Sequence, residues 1–148
     1  MAKMHIHVSV DNLQKSIQFY TALFNCDPSK QKADYAKWEI SNPNINLAIS
    51  ERGSKPGIDH LGLQAENEEE MTQIRDRIKS ADLDTFNEGE TTCCYAYSDK
   101  TWLQDPNGLP WETYYTMDDV AFFNESPSEE TGVCCAPNME KEEEKSCC

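Results

Sequence analysis

No stretch of this sequence approaches the roughly 20 apolar residues that a membrane-spanning helix requires. Its opening, Met1-Ala2-Lys3-Met4, leads straight into an alternating pattern and lacks the apolar run of a signal peptide. Basic residues are scarce: 13 Lys and Arg stand against 27 Asp and Glu, a formal net charge of −14. Such a field repels a nucleic-acid duplex and an anionic membrane surface, so neither is an expected partner. Separated cysteines are missing too. Six of the seven fall in adjacent pairs, Cys93-Cys94, Cys134-Cys135 and Cys147-Cys148, and only Cys26 stands alone. Bridging neighbours closes almost no loop, which argues against a disulfide framework. The expectation is a soluble, cytoplasmic protein, in whose reducing surroundings repeated cysteine pairs read as ligands for soft metals or metalloids.

The 148 residues suffice for one real core. His5 to Val10 alternates with period two, a half-buried strand. Asp11 and Asn12 are good caps for an amphipathic helix whose apolar positions are Leu13, Ile17, Tyr20 and Phe24. Strands over Tyr35 to Ile40 and Asn46 to Ser50 follow, turning at Asn42-Pro43-Asn44. After a linker from Gly53 to Gly57 the order begins again. Ile58 to Ala65 reads as a strand, Glu68 to Ala81 as a helix, and Thr85-Phe86, Thr101 to Gln104 and Trp111 to Thr116 as strands. The last two flank Asp105-Pro106-Asn107-Gly108, where Pro presets φ and Gly accepts positive φ.

An offset of 55 superposes the halves: His5 falls on His60, Ile6 on Leu61, Val8 on Leu63 and Asn12 on Asn67. The economical reading is an α+β fold of two tandem βαβββ modules, about 3–52 and 57–117, with a mixed sheet curled around a shared cleft. One domain is expected over 1–123. From Asn124 onward acidic residues dominate and no apolar period survives, so 124–148 reads as a disordered, cysteine-rich tail.

The chain has three histidines. Alternation puts His5, His7 and Ser9 on one side of the first strand, and His60 begins the equivalent strand of the second module. Glu112 follows the Pro-Asn-Gly turn on the same side as Tyr114, where a buried carboxylate needs a partner. Two histidines and a carboxylate compose the facial triad of non-haem Fe(II) sites, although other divalent metals suit these donors as well. His7 falls on Gly62 at the same offset, lacks a histidine counterpart and is read as structural or supporting. The pair Cys93-Cys94 sits in a polar stretch, Thr91-Thr92-Cys93-Cys94-Tyr95, outside any strand or helix pattern, as a soft, thiol-seeking element.

His5, Val10, Asn12-Leu13, Ser16 and Phe19-Tyr20, with His60-Leu61-Gly62-Leu63 and Asp105-Pro106-Asn107-Gly108 before Glu112, resemble the vicinal oxygen chelate superfamily, also called the glyoxalase/bleomycin-resistance/dioxygenase fold. Thr91 to Ala96, then Asp99-Lys100, Trp102 and Pro110-Trp111-Glu112, are similar to the carbon–arsenic lyases and cadmium-induced proteins within it. That resemblance implies Fe(II) held by His5, His60 and Glu112, with Cys93 and Cys94 as the catalytic pair that binds a trivalent organoarsenical. It implies dioxygen-dependent cleavage of the carbon–arsenic bond to arsenite. Lys100 could lower the thiol pKa values or be a solvated surface lysine, and the polar stretch from Asn87 to Thr92 could swing as a loop. The alternatives are a cadmium- or arsenic-binding resistance protein without catalysis, and a glyoxalase- or dioxygenase-type metalloenzyme. Oligomeric state stays open.

Overall fold

The computed structural model describes residues 1–53, 55–93 and 96–119, with backbone alone at 87–93, 96 and 118–119. The first half runs β1 (Lys3–Ser9), α1 (Leu13–Phe24), β2 (Lys30–Lys32), β3 (Tyr35–Ser41) and β4 (Asn44–Ser50). The second repeats that order as β5 (Gly57–Gln64), α2 (Glu68–Ser80), β6 (Thr85–Cys93), β7 (Ala96–Gln104) and β8 (Pro110–Asp119). All eight strands join one mixed sheet, β2-β3-β4-β1-β5-β8-β7-β6. β1 and β5 meet antiparallel at its centre, and each has a parallel partner on its far side, β4 and β8 respectively. The halves are therefore related by a pseudo-twofold axis at the β1–β5 joint.

Both helices start at an asparagine. The Asn12 side chain accepts from the Lys15 amide at 2.9 Å, and Asn67 accepts from Glu70 at 2.9 Å, each satisfying one of the donors left open in a first turn. α2 adds Glu68, Glu69 and Glu70 at its start and Arg77 and Lys79 at its end, charges that complement the helix dipole. α1 lays Leu13 on Ala36, Trp38, Leu47 and Ile49, with Ile17, Tyr20 and Phe24 around them. α2 lays Met71 and Ile74 on Ala65, with Leu63 and Tyr115 alongside. Arg75 of α2 also clasps Asp99 of β7 through two hydrogen bonds, 2.9 and 2.6 Å long. Both helices cover one face of the sheet, leaving the other face to form the cleft.

The expected duplication, element order and mixed sheet are all present. Two differences concern the strands. β2 was not anticipated, being only Lys30-Gln31-Lys32 with no apolar alternation. More consequentially, 87–93 is not a loop: β6 continues through it to Cys93, paired with β7 from Thr85↔Leu103 to Cys93↔Ala96 with a bulge between Asn87 and Gly89. β7 likewise begins at Ala96 rather than Thr101. This ribbon is polar, so hydropathy gives no signal; its backbone pairing is supplied by β8 through β7. The tail 124–148, with Cys134, Cys135, Cys147 and Cys148, lies outside the described residues, as does Cys94. Among the described residues no helix is long and apolar enough to cross a membrane.

Trp38 is fully buried and its indole Nε1 donates to the Cys26 carbonyl at 3.2 Å. Trp38→Ala should cost about 3–5 kcal/mol of unfolding free energy, measurable as a lowered urea midpoint.

Candidate metal centre

The period of two that sends Ile6 and Val8 toward α1 sends His5, His7 and Ser9 into the cleft, where all three are buried. In the antiparallel register His5 lies opposite Gly62 and His7 opposite His60. His5 and His60 therefore meet diagonally across the joint, with their Nε2 atoms 3.2 Å apart. β8 runs parallel to β5 and places Glu112 beside Gly62. A Cβ on Gly62 would lie 2.4 Å from the Glu112 carbonyl oxygen, so this position has no room for a side chain. Glu112 Oε2 stands 3.4 Å from His60 Nε2 and 3.6 Å from His5 Nε2. Two donors bound at about 2.1 Å to one ion, about 90–110° apart, are separated by about 3.0–3.4 Å. The three expected ligands thus converge at the spacing of one coordination face, and as a donor set they fit a divalent ion.

Glu112 is buried, and its other oxygen, Oε1, forms an ion pair with Lys100 Nζ at 2.6 Å. Burial opposes its charge, but Lys100, His60 and His5 outweigh burial and hold the carboxyl well below its usual range. The two imidazoles diverge. Burial dominates at His5 and, helped by the cations of His60 and Lys100, lowers it to about 3. At His60 burial also works downward, yet hydrogen bonds to Asp59 and Glu112 prevail and raise it to about 9. The Asp59 carboxylate bonds His60 Nδ1 at 2.6 Å, orienting the ring so that Nε2 faces the cleft.

The cleft is closed around this group by the Trp102 ring, edge-on to His60 at 5.0 Å, and by Tyr114, edge-on to His5 at 5.3 Å. The Tyr114 hydroxyl accepts from Asn46 Nδ2 at 3.1 Å. A cavity of about 40 Å³ is lined by His5, His60, Glu112, Asn46 and Tyr114 among others. A wider one, about 600 Å³, opens on the opposite face between α2 and the β6–β7 ribbon. Its charged groups include Arg75, already paired with Asp99, and among the described residues it gathers no set of metal-ligating side chains, so the smaller cavity is the chemically significant one.

From sequence Lys100 reads as a helper of the thiols or as a solvated surface lysine; the structure places it against Glu112. It is 5% exposed and is therefore not a surface lysine. Lys100 pairs with Gly89, and Cys93 is four residues farther along β6, roughly 13 Å at about 3.3 Å per residue. Cys93 ends that strand beside the cleft-lining ribbon. The roles of Lys100, Asp59 and Trp102 at the centre were not foreseen. Ser98, Lys100 and Trp102 alternate as a buried strand face, a pattern visible only once β7 is known to start at Ala96.

His7 is also buried here, its Nε2 3.0 Å from Ser50 Oγ and its ring 4.9 Å from that of His60. Ligating atoms of His5, His7 and His60 lie within 4.8 Å of one another.

The family model described as the Glyoxalase/Bleomycin resistance protein/Dioxygenase superfamily matches residues 4–113, spanning both modules. The chain belongs to that superfamily. Within it, the chain is 39% identical over 153 residues to the trivalent organoarsenical cleaving enzyme of Bacillus sp. strain MD1, covering 100% of this chain and 91% of that protein. It is 33% identical over 142 residues to the cadmium-induced protein CadI of Mycobacterium tuberculosis, covering 91% of this chain and 93% of that one. The sequence-based expectation of a carbon–arsenic lyase and cadmium-induced-protein family is thereby met. Among solved structures, the Mn(II)-bound glyoxalase of Novosphingobium aromaticivorans shares the fold with a TM-score of 0.54 at 15% identity, over 90% of this chain and 45% of that one.

For a superfamily member with this ligand geometry, two measurements test the centre. Asp59→Ala should weaken divalent-metal binding by about 10–100-fold, since it removes the partner that orients His60. His60 at about 9 is protonated at neutral pH and must lose that proton to bind an ion, whereas His5 at about 3 need not. Affinity should therefore rise with pH, approaching about tenfold per unit until about pH 9, with proton release seen in buffers of different ionisation enthalpy.

Proposed function

We propose that this chain cleaves the carbon–arsenic bond of trivalent organoarsenicals such as methylarsonous acid, as an Fe(II)- and dioxygen-dependent lyase acting in the cytoplasm. The observation that carries this reading is the convergence of His5 Nε2, His60 Nε2 and Glu112 Oε2 at 3.2–3.6 Å in a cleft flanked by the ribbon that ends at Cys93. The whole-chain likeness to a protein named for cleaving trivalent organoarsenicals supplies the substrate class.

His5, His60 and Glu112 would hold the iron, leaving its remaining positions open. When bound, iron of this ligation supplies the redox chemistry by which dioxygen can oxidise a carbon that acid–base groups leave untouched. Lys100 anchors Oε1 of Glu112, which keeps Oε2 aimed at the two imidazoles. Asp59 keeps Nδ1 of His60 occupied and Nε2 forward. Trp102 and Tyr114 limit the entry of water.

Methylarsonous acid has two exchangeable oxygens and one carbon that it keeps. The thiolates of Cys93 and Cys94 would replace both oxygens and hold the methyl group in one orientation. One methylarsonous acid and one dioxygen give one arsenous acid and one formaldehyde. Atoms balance, and the four electrons leaving carbon reduce the two oxygen atoms. Because 87–93 is strand, bringing the arsenical from capture to the centre bends a ribbon rather than swinging a free loop. The bulge between Asn87 and Gly89 is where its ladder is already interrupted. Trivalent aromatic arsenicals are further candidate substrates.

Fe(II)-loaded protein given methylarsonous acid should release arsenite in air and none without it. Binding without release in air would instead make the chain a sequestering protein. Cys93→Ser should abolish turnover while sparing iron binding. Glu112→Gln should abolish turnover with Cys93 intact. Deleting residues 124–148 should leave most activity at saturating substrate; complete loss would move the catalytic role to the tail cysteines.

A further inference from the structure

His7 is the histidine that the lyase reading does not use. The pseudo-twofold axis shows what it corresponds to. β1 is to β4 as β5 is to β8, and the registers pair His7 with Ala48 in the first module and Gly62 with Glu112 in the second. Each module thus offers one donor and one small residue at the same place in the cleft, with the assignment exchanged: imidazole beside alanine, carboxylate beside glycine. Steric necessity accompanies the exchange, since Gly62 cannot carry even a Cβ without meeting the backbone of Glu112. His7 and Glu112 accordingly occupy related positions on either side of the His5–His60 pair.

His7 is set up as metal-ligating histidines are. It is fully buried, its Nε2 is 3.0 Å from the hydroxyl of the buried Ser50, and its ring contacts His60 edge-on. A partner on one ring nitrogen fixes the tautomer and the direction of the other. Its ligating atom also falls within 4.8 Å of those of His5 and His60, a grouping that does not take in Glu112.

We propose that His7 is a metal donor of this chain, completing with His5 and His60 a three-imidazole set that overlaps the His5–His60–Glu112 set and holds a borderline-soft divalent ion such as zinc without the carboxylate. Three imidazoles alone form an established zinc-binding set. The proposal rests on the reading of His5 and His60 as ligands and adds a second donor set to that centre. An ion held by nitrogen alone lacks the carboxylate that Lys100 positions, so zinc bound there would block the centre rather than serve it.

Three histidines make the test direct. Full-length protein labelled with ¹⁵N-histidine has six ring nitrogens to resolve in a long-range ¹H–¹⁵N spectrum, recorded as zinc is added past saturation of the thiols. A metal-bound nitrogen on all three rings is the expected result. Metal-bound nitrogens on His5 and His60 with an unchanged His7 would overturn this proposal and leave the original centre standing. No metal-bound nitrogen on any ring would overturn both. Zinc affinity gives a second readout in variants checked for folding by circular dichroism. Glu112→Gln should stay within about tenfold of the parent, and adding His7→Gln should cost a further factor of about 100. Equal affinity of Glu112→Gln and the double variant would remove His7 from the donor set.

Discussion

A carboxylate can be buried at the centre of this cleft only because a buried ammonium meets it. Removing either charge from water costs several kcal/mol, and the pair recovers that cost only at close range with good geometry. Lys100 and Glu112 meet at 2.6 Å on neighbouring strands of one sheet. The rest follows from which oxygen Lys100 takes. With Oε1 engaged, Oε2 remains toward His5 and His60 and favours the protonated form of both; burial lowers His5 nonetheless, while Asp59 tips His60 the other way. Without Lys100, a carboxylate in such surroundings would tend to protonate and lose its value as a ligand.

Duplication supplies the geometry in which that pair works. A single βαβββ module contributes one central histidine and covers only one sheet face with its helix. Joining β1 to β5 antiparallel brings the two equivalent histidines together diagonally, and no loop has to be ordered to do so. Ligands on central strands of a sheet are held by the ladder on both sides, which is the preorganisation that a metal site needs. The two modules then diverge where identity would cause collision. Gly62 makes way for Glu112, and Ala48 stands beside His7.

Much of this was legible in the residues. The offset from His5 to His60 and from Asn12 to Asn67 marks equivalent strand and cap positions. The turn at Asp105 to Gly108 fixes where the strand carrying Glu112 begins. What remained hidden has one physical source: the β6–β7 ribbon is polar, so neither period-two hydropathy nor turn residues mark it. Lys100 in isolation reads as solvated or as a helper for the thiols; only the alternation Ser98, Lys100, Trp102 on a paired strand turns it toward Glu112. His7 has Gly62 at the matching place in the second module, and that the strand beside Gly62 carries Glu112 shows only in the paired register.

The same ribbon separates two kinds of donor that should not mix. Thiolates bind soft metals and metalloids more readily than a nitrogen–oxygen triad does, and a cysteine within reach of His5 and His60 would become a ligand itself. Glu112 is opposite Trp102 on β7, while Cys93 is opposite Ala96, six residues nearer the start of that strand. On the proposed reading, Cys93 at the far end of a two-stranded ribbon would take an arsenical without competing for the ion. The constraint on reaction is then mechanical. In the proposed reaction, whatever Cys93 captured would have to be carried along or bent over the ribbon before meeting the centre, and the interruption of the ladder between Asn87 and Gly89 lies on that path.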